Sequence, residues 1–279
     1  MLSPNAIEIL RARYLKRNKA GEVAETPEEL FRRVARAVSS AEDRDRSLWE
    51  ERFYQLMQQG VFLPNSPTLM NAGLAEGQLS ACFVLPVADT MQSIFETLKN
   101  TALIHQSGGG TGFNFTALRP HGDRTGTGPG SASGPVAFMK VYDEATEQVK
   151  QGGRRRGANM GILNITHPDI RRFIESKSDP SALQNFNISV GVTDAFMRAV
   201  EANASWTLIN PRDGRKWDEV PARELWEVLC HQAWKTGDPG LLFLDTINTG
   251  NPLPGLGPLQ ATNPCGELPL FSYESCNLG

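Results

Sequence analysis

Apolar residues recur at helical spacing through the first sixty positions of the chain. The segment Thr26-Pro27-Glu28-Glu29 has the pattern of a helix start, with threonine as the N-cap and proline in the first turn. Gly60 is placed to end a helix. Residues 1–75 are therefore predicted to form a helical domain. The helices predicted in it are 5–18, 27–39 and 43–59.

Beyond residue 76, short apolar runs alternate with amphipathic stretches. Runs of strand length separated by helical patterns are typical of an α/β fold with parallel strands. The strands predicted are 81–86, 113–115, 160–165, 186–192 and 241–244. The helices predicted are 90–104 (capped by Asp89), 136–150, 166–176 (with His167 at its start), 194–203 and 221–235. The polar stretch 204–220 and the Pro/Gly-rich stretch 249–258 are predicted to be loops, and Cys230 is predicted to be buried in the core.

Composition narrows the class of protein. Apolar residues make up 40%, charged residues 21%, and the net charge is −3, as in ordinary soluble domains without a general affinity for nucleic acid or membranes. We find neither a transmembrane-length apolar stretch nor a secretory signal pattern. Four cysteines without a C-x-x-C pair, and four histidines, favour neither a disulfide scaffold nor a metal site. A cytoplasmic protein is the expectation.

The candidate chemistry is concentrated in Asn263-Pro-Cys265-Gly-Glu267 and in Cys276. If the first segment is an extended strand, its alternate positions place an amide, a thiol and a carboxylate on one face. Such a face suits radical or acid–base chemistry. The alternative is a turn marked by proline and glycine, with a buried cysteine and a solvated glutamate.

Three glycine-rich segments are candidate ligand loops, since glycine permits close approach of the backbone to a ligand. They are 107–112, 126–134 and 152–159, and the last contains Arg154, Arg155 and Arg156. Arginines between glycines suit a loop that binds an anionic group. Plain chain reversal, or a solvated basic turn, is the alternative. The first segment is no phosphate loop of the Gly-Lys-Ser/Thr type, because it follows a helix and lacks the lysine.

These segments resemble, in the same order, the motifs of ribonucleotide reductase catalytic chains. The matching segments are 62–73, 80–82, 107–112, 152–160, 263–267 and 274–279. The amino-acid sequences of the last two segments, and of Arg13-Tyr-Leu15 and Glu25-Thr-Pro27, are similar to those of the adenosylcobalamin-dependent class II enzymes. The resemblance implies an N-terminal helical domain followed by the first part of a ten-stranded α/β barrel. Residues 76–279 would form that incomplete barrel, with the radical cysteine on a central finger loop.

The resemblance also implies a reaction, the replacement of the ribose 2′-hydroxyl by hydrogen for DNA synthesis. Cys265 would become a thiyl radical, generated with adenosylcobalamin (vitamin B12), and take the 3′-hydrogen. Glu267 would accept the 3′-hydroxyl proton, and Asn263 would hold the substrate hydroxyls. Cys82 and Cys276 would give two electrons by closing to a disulfide. Because these two lie far apart in sequence, the fold has to bring their strands together.

Substrate and effector contacts follow by matching position. Those implied for the ribonucleoside di- or triphosphate are Ser66, Ala81, Cys82, Gly110, Asn263, Pro264, Cys265, Gly266 and Glu267. Those implied for a deoxynucleotide or ATP effector are Asp89, Arg119, Arg154, Arg155 and Arg156. The effector site would lie at the interface with a second copy of the chain. An external thiol reductant such as thioredoxin would restore the dithiol.

Family members continue for hundreds of residues beyond the position that matches Gly279. We therefore expect a fragment that needs a complementing chain. Two alternatives remain open: a class I large chain, which takes its radical from a diiron subunit, and a non-catalytic nucleotide-binding chain. A thiol–disulfide oxidoreductase is disfavoured by the absence of a C-x-x-C pair.

Overall fold

The computed structural model of the chain describes residues 2–75, 77–126, 130–149 and 157–279. Its first part is helical, as predicted. Thr26 and Glu29 form the expected capping box at the start of the second helix. The helices are α1 (Pro4–Arg13), α2 (Pro27–Ser39), α3 (Arg46–Gln58) and α4 (Ser66–Asn71). Helix α1 is shorter than predicted, because the Glu25 carboxylate accepts from the Lys16 amide and turns the chain after Tyr14.

The Arg33 side chain of α2 forms an ion pair with Glu25 and also links α2 to the end of α4. Arg33 donates to both oxygens of Glu25, and it also donates to the carbonyls of Leu69 and Ala72 at the end of α4. Leu30 and Tyr54 pack beside it in the core of this helical part. The position of Ser66, at the start of α4, is therefore fixed by the packing of α2.

Six strands form one sheet in the order β10-β1-β2-β3-β4-β7. Strands β1, β2, β3, β4 and β7 are mutually parallel, which confirms the predicted α/β class, and β10 is antiparallel to β1. The bounds are β1 (Cys82–Val84), β2 (Gly110–Asn114), β3 (Asn159–Asn164), β4 (Phe186–Val192), β7 (Gly240–Phe243) and β10 (Ser275–Cys276). Strand β2 begins three residues earlier than predicted, with glycines at its first and third positions.

The two faces of the sheet are covered differently. On the outer face, the fully buried rings of Phe113, Phe115 and Phe186 pack with Tyr142 in the main core. Helices cover this face: α5 (Met91–Gln106), α6 (Pro135–Gln148), α7 (Ile170–Ile174), α8 (Asp194–Glu201) and α9 (Ala222–Thr236). On the inner face, Met160 and Ile162 pack with Ala261 of a short hairpin formed by β8 (Ala261–Thr262) and β9 (Pro269–Leu270).

Glycine in β2 allows the hairpin to lie on the sheet. A β-carbon at Gly112 would stand 1.8 Å from the carbonyl oxygen of Thr262. A β-carbon at Gly110 would stand 2.7 Å from the ring of Pro264. The glycine-rich segment 107–112 therefore allows the hairpin to approach β2 closely, by its backbone at Gly112 and by the Pro264 ring at Gly110.

Several details differ from the prediction. Asp89 does not cap α5; Thr90 is the N-cap and accepts from the Ser93 amide. Residues 204–220 are not a loop but a hairpin of β5 (Ser205–Ile209) and β6 (Lys216–Pro221). Most residues of the two strands are exposed, and the only apolar alternation is the short one of Trp206 and Leu208, which pack on the main core. Cys230 is exposed, because it lies on the face of α9 away from Leu225 and Leu229.

The remaining elements connect β7 to the hairpin. They are α10 (Leu244–Thr249) and a short 3₁₀ turn at Pro254–Leu256, within the stretch predicted to be a loop. His167 precedes α7 as expected and is buried, with its ring bonded to the Leu118 carbonyl. In the described part of the chain, no helix is long and apolar enough to cross a membrane.

Candidate active site at the amino ends of the parallel strands

Two of the predicted site cysteines face each other across neighbouring strands. Cys82, the first residue of β1, is directly opposite Cys276 of the antiparallel strand β10. Both are buried thiols, and they pack with Ala81 and with Leu268 of the hairpin. Directly opposite residues of an antiparallel pair lie within the Cα separation that a disulfide bridges. The fold thus brings together two cysteines at opposite ends of the barrel sequence.

The segment Asn263–Glu267 is a turn, so of the two interpretations left open by the sequence the extended strand is wrong. The Gly266 amide donates to the Asn263 carbonyl at 3.1 Å, and Gly266 has the left-handed φ of 86° that glycine adopts readily. The Leu268 amide donates to the Asn263 side-chain oxygen at 3.1 Å. The proline and glycine that suggested a turn do form one, at the tip of the β8–β9 hairpin. We call residues 263–267 the Cys265 loop.

The Cys265 loop lies over the amino ends of several parallel strands. The ring of Pro264 covers Gly110 at the start of β2. Gly266 lies over Met160 of β3, whose terminal methyl would be 3.5 Å from a β-carbon at position 266. Asn187 of β4 donates to the Pro264 carbonyl at 2.8 Å. Sequence reasoning missed Asn187; the signal was a carboxamide at the second position of a mostly apolar strand.

Asn263 is fully buried, and one of its polar groups is unsatisfied. Its oxygen accepts from Leu268, whereas its Nδ2 has no hydrogen-bond partner among the described residues. Buried polar groups are nearly always paired, so an orphan donor at a candidate site points to a ligand acceptor. This is the position predicted to hold a substrate hydroxyl.

Cys265 and Glu267 are exposed at the edge of the same loop. They lie close enough to Cys276 to influence its ionisation. Burial raises the pKa of the Cys276 thiol, the hydrogen bond with Cys82 lowers it, and the negative charges of Glu267 and of a Cys265 thiolate raise it further. The structure therefore gathers Cys82, Asn263, Cys265, Glu267 and Cys276 in one region.

Ser66 and Ala81 border an adjoining cavity of about 590 Å³ between the helical part and the end of the chain. The Ser66 hydroxyl is 2.8 Å from the hydroxyl of Tyr14, a partner that the sequence did not suggest. The backbone N–H of Asn65 donates to the Leu278 carbonyl, and this bond ties the residues after Cys276 to the start of α4.

A buried polar network supports the first residues of β2 and β3. The Thr111 hydroxyl donates to the Asn159 oxygen at 2.7 Å, and the Asn159 amide donates to Thr146 at 2.9 Å. The His105 ring lies 3.0 Å from the Thr111 hydroxyl. Burial lowers the pKa of His105 to about 4, against the opposing effect of the Ala158 carbonyl. The ring is therefore neutral near pH 7.

The candidate effector residues lie away from the Cys265 loop, on the helix-covered outer side of the sheet. Asp89 and Arg119 form an ion pair at 2.8 Å, and the Arg119 amide also donates to Asp89. They line a cavity of about 570 Å³, together with Thr125, Gly126 and the segment 131–134. The structure thus brings Asp89, Arg119 and part of the glycine-rich segment 126–134 together. Arg154, Arg155 and Arg156 lie outside the described residues.

Comparison with known proteins agrees with this organisation. Residues 1–77 match the family model described as the ribonucleotide reductase all-alpha domain, and residues 80–279 match that of the ribonucleotide reductase barrel domain.

Two similar proteins are named vitamin B12-dependent ribonucleoside-diphosphate reductase. One, from Mycobacterium tuberculosis, is 53% identical over the whole chain, and one from Thermoplasma acidophilum is 47% identical. The chain spans 41% and 44% of their respective lengths. A ribonucleoside-diphosphate reductase subunit alpha from Chlamydia muridarum is 28% identical over 98% of the chain, which covers 29% of that protein. Since the barrel-domain model matches well over half of the chain, the chain belongs to the ribonucleotide reductase family.

Proposed function

We propose that this chain carries the radical-forming and electron-donating thiols of an adenosylcobalamin-dependent ribonucleotide reductase. The substrate class is the ribonucleoside diphosphate, and the product is the 2′-deoxyribonucleotide used in DNA synthesis. One observation carries the proposal: Cys82 and Cys276 stand opposite each other in the sheet, and the Cys265 loop lies over the same strand ends.

Atoms and electrons balance in the reduction that these side chains would carry out. A thiyl radical at Cys265 takes the 3′-hydrogen of the ribose, while Glu267 takes the proton of the 3′-hydroxyl. The 2′-hydroxyl leaves as water. Cys82 and Cys276 supply two electrons and two protons and become a disulfide. Glu267 then returns its proton to the 3′-oxygen, and Cys265 returns the hydrogen to the 3′-carbon. Overall, one ribonucleotide and one dithiol give one deoxyribonucleotide, one disulfide and one water.

Asn263 is the positioning group for the substrate. Its unsatisfied Nδ2 would donate to a ribose hydroxyl, and its oxygen is already held by the Leu268 amide. The side chain therefore cannot rotate to satisfy Nδ2 without losing the bond to Leu268. A preset donor of this kind lowers the entropic cost of orienting the sugar. Ser66, Ala81 and Gly110 would contact the rest of the nucleotide.

Adenosylcobalamin would supply the radical that removes the hydrogen from the Cys265 thiol. The chain's own features fit that role, because Cys265 is exposed at the tip of a hairpin and accessible to a large group. The two relatives that are 53% and 47% identical are named as vitamin B12-dependent enzymes.

The Asp89–Arg119 cavity is proposed to bind a deoxynucleotide or ATP effector, with Arg154, Arg155 and Arg156 contributing charge. Beside it, α5 and α6 expose the large apolar residues Met91, Phe95, Leu103 and Val141. We propose that a second copy of the chain covers this surface. An external thiol reductant such as thioredoxin, and a chain that completes the barrel, are the other proposed partners of this cytoplasmic enzyme.

Single-turnover reduction of CDP tests the proposal. Pre-reduced chain is mixed with CDP and adenosylcobalamin, with and without extract of the source organism to supply a complementing chain. Wild type is compared with Cys265→Ser and with Cys230→Ser, a matched control at a remote exposed thiol. Product that requires cobalamin and Cys265, and survives Cys230→Ser, is the expected result.

Other results would favour the alternatives. Product formed without cobalamin would indicate the class I reaction, with its radical from a diiron subunit. Deoxynucleotide binding with no product under any condition would indicate a non-catalytic nucleotide-binding chain. Cobalamin-dependent product from the purified chain alone would show that no complementing chain is needed.

A further inference from the structure

Asn187 departs from the pattern of the strand that contains it. Six of the seven residues of β4 are buried, and Asn187 is exposed. Its neighbours Phe186 and Ile188 face the outer core, so the pleat directs Asn187 to the inner face, where the hairpin lies. The register pairs it with Met160 of β3, which also lies under the Cys265 loop.

The hydrogen bond from Asn187 acts on the peptide group next to the radical cysteine. Its Nδ2 donates at 2.8 Å to the carbonyl of Pro264, and that carbonyl belongs to the planar peptide joining Pro264 to Cys265. Fixing this plane leaves rotation about the Cys265 backbone as the main freedom near the thiol. The bond therefore acts on the direction of the Cys265 side chain.

The loop's internal hydrogen bonds do not supply this restraint. The Gly266 amide and the Leu268 amide both donate to Asn263, so they close the loop on itself. Packing of Pro264 over Gly110 limits how deeply the loop sits on β2 and leaves its tilt toward β4 open. Asn187 supplies a hydrogen bond from the sheet to the tip, on the peptide group that precedes Cys265.

We propose that Asn187 is a positioning residue for Cys265, holding the Pro264–Cys265 peptide so that the thiol keeps one orientation above the strand ends. The inference rests on the proposed function in one respect: Cys265 is taken as the thiol that forms the radical. It extends that function by assigning β4 a role in aiming the thiol.

Two substitutions separate the hydrogen bond from the shape and charge of the side chain. Asn187→Ala removes the donor, and Asn187→Asp keeps the shape but replaces the donor with a negative charge. Gln184→Ala is the matched control, since its carboxamide also donates to a proline carbonyl, that of Pro180, in an exposed turn remote from the loop. Each variant is prepared as the full 279-residue chain.

Amide hydrogen exchange and thiol alkylation with iodoacetamide are the measurements. Loss of one ordinary hydrogen bond should raise exchange at Gly266 and Leu268 about fivefold in both Asn187 variants. Alkylation of Cys265 should accelerate in both, with Cys230 as an internal reference. In Asn187→Asp alone, the midpoint of the alkylation pH profile should move upward, because a nearby carboxylate disfavours the thiolate. A side chain at position 187 that lay far from the thiol would not move that midpoint, so the shift tests proximity, and the Asn187→Ala rates test the restraint.

The inference is overturned if both Asn187 variants show wild-type exchange and wild-type Cys265 alkylation. It is equally overturned if exchange rises throughout the chain, or if alkylation of Cys230 accelerates as much as that of Cys265, since the effect is then global. Gln184→Ala should match wild type. Failure of the proposed function would appear as missing cobalamin-dependent product and would leave these results unchanged.

Discussion

Gly112→Ala tests whether the hairpin that carries Cys265 is seated on β2 by the absence of a side chain. A β-carbon at this position would stand 1.8 Å from the Thr262 carbonyl oxygen and 3.0 Å from its carbonyl carbon. Both atoms are backbone, so no side-chain rotation relieves the overlap. The hairpin, or β2 itself, would have to shift by about 1 Å or more to restore an ordinary contact.

The expected cost follows from this overlap. Overpacking of a well-packed interior costs about 1–3 kcal/mol, and a rigid backbone neighbour places Gly112→Ala at the upper end. Replacing glycine by alanine also restricts the unfolded chain, which returns about 0.4–1 kcal/mol. The net loss in the free energy of unfolding should be about 2 kcal/mol. Since Thr262 and Asn263 are almost fully buried, the shift should also displace the Cys265 loop.

Urea unfolding followed by circular dichroism and tryptophan fluorescence measures the loss, with the slope of each curve compared across variants. Gly255→Ala is the matched control, because a β-carbon there meets no atom within 4 Å and the residue has no left-handed φ. Gly110→Ala should fall between the two, because the Pro264 ring that it would meet can pucker or shift. A Gly112→Ala chain as stable as Gly255→Ala would refute this account of the seating.

Three further predictions concern the cysteines and two buried titratable groups. Diamide oxidation should join Cys82 to Cys276, whose register places them opposite each other; peptide mass mapping that instead finds Cys82 joined to Cys265 would contradict the register. Asp123→Asn should lower the free energy of unfolding by about 1.5–3 kcal/mol at pH 7, because Asp123 accepts from Arg212 and Asn210. Hydrogen bonding to Arg212 holds the pKa of Asp123 well below its usual range. The contribution of Asp123 to the free energy of unfolding is therefore present above about pH 4 and lost on acidification. Urea unfolding that shows the same difference between wild type and Asp123→Asn at pH 7 and at pH 3 would contradict this. Burial lowers the pKa of His105 to about 4, so on acidification the unfolded chain takes up that proton before the folded chain does. The free energy of unfolding of the wild type should therefore fall by about 3 kcal/mol between pH 6.5 and 4. His105→Gln should remove this part of the pH dependence, and identical pH–stability curves for the two proteins would refute the prediction.

The sequence was most informative where local pattern and tertiary role agree. Strand β4 (Phe186–Val192) has the predicted bounds, because apolar residues at alternate positions, from Phe186 to Val192, suit a strand with one face in the core. Helix α2 begins at the predicted capping box for a purely local reason. The resemblance implied that Cys82 and Cys276 act as a pair, so that the fold has to bring their strands together, and the register places them opposite each other.

The differences from the predictions have local and tertiary causes. For residues 263–267 an extended strand and a turn were both open, and Pro264 and Gly266 form the turn. Cys230 was predicted to be core from its apolar neighbours, yet its direction is set by the packing of α9. Asn187 and Tyr14 make their contacts with residues distant in sequence. The local pattern marked Asn187 only as a carboxamide in a mostly apolar strand, and it carried no sign of the contact made by Tyr14.

The location of the site bears on its chemistry. In most α/β folds ligands bind at the carboxyl ends of parallel strands, where the following helices begin and their amino termini favour anions. Here the cysteines lie at the amino ends, and α5 ends shortly before β2, whose first residue lies under the Cys265 loop. Helix carboxyl ends carry partial negative charge and disfavour a thiolate. Cys276 shows the same tendency, because its pKa is raised by burial and by neighbouring negative charge. A nucleophilic cysteine needs its pKa lowered, whereas donation of hydrogen, or of an electron with a proton, needs the thiol to stay protonated. The placement at the amino ends of the strands therefore suits radical reduction better than nucleophilic catalysis.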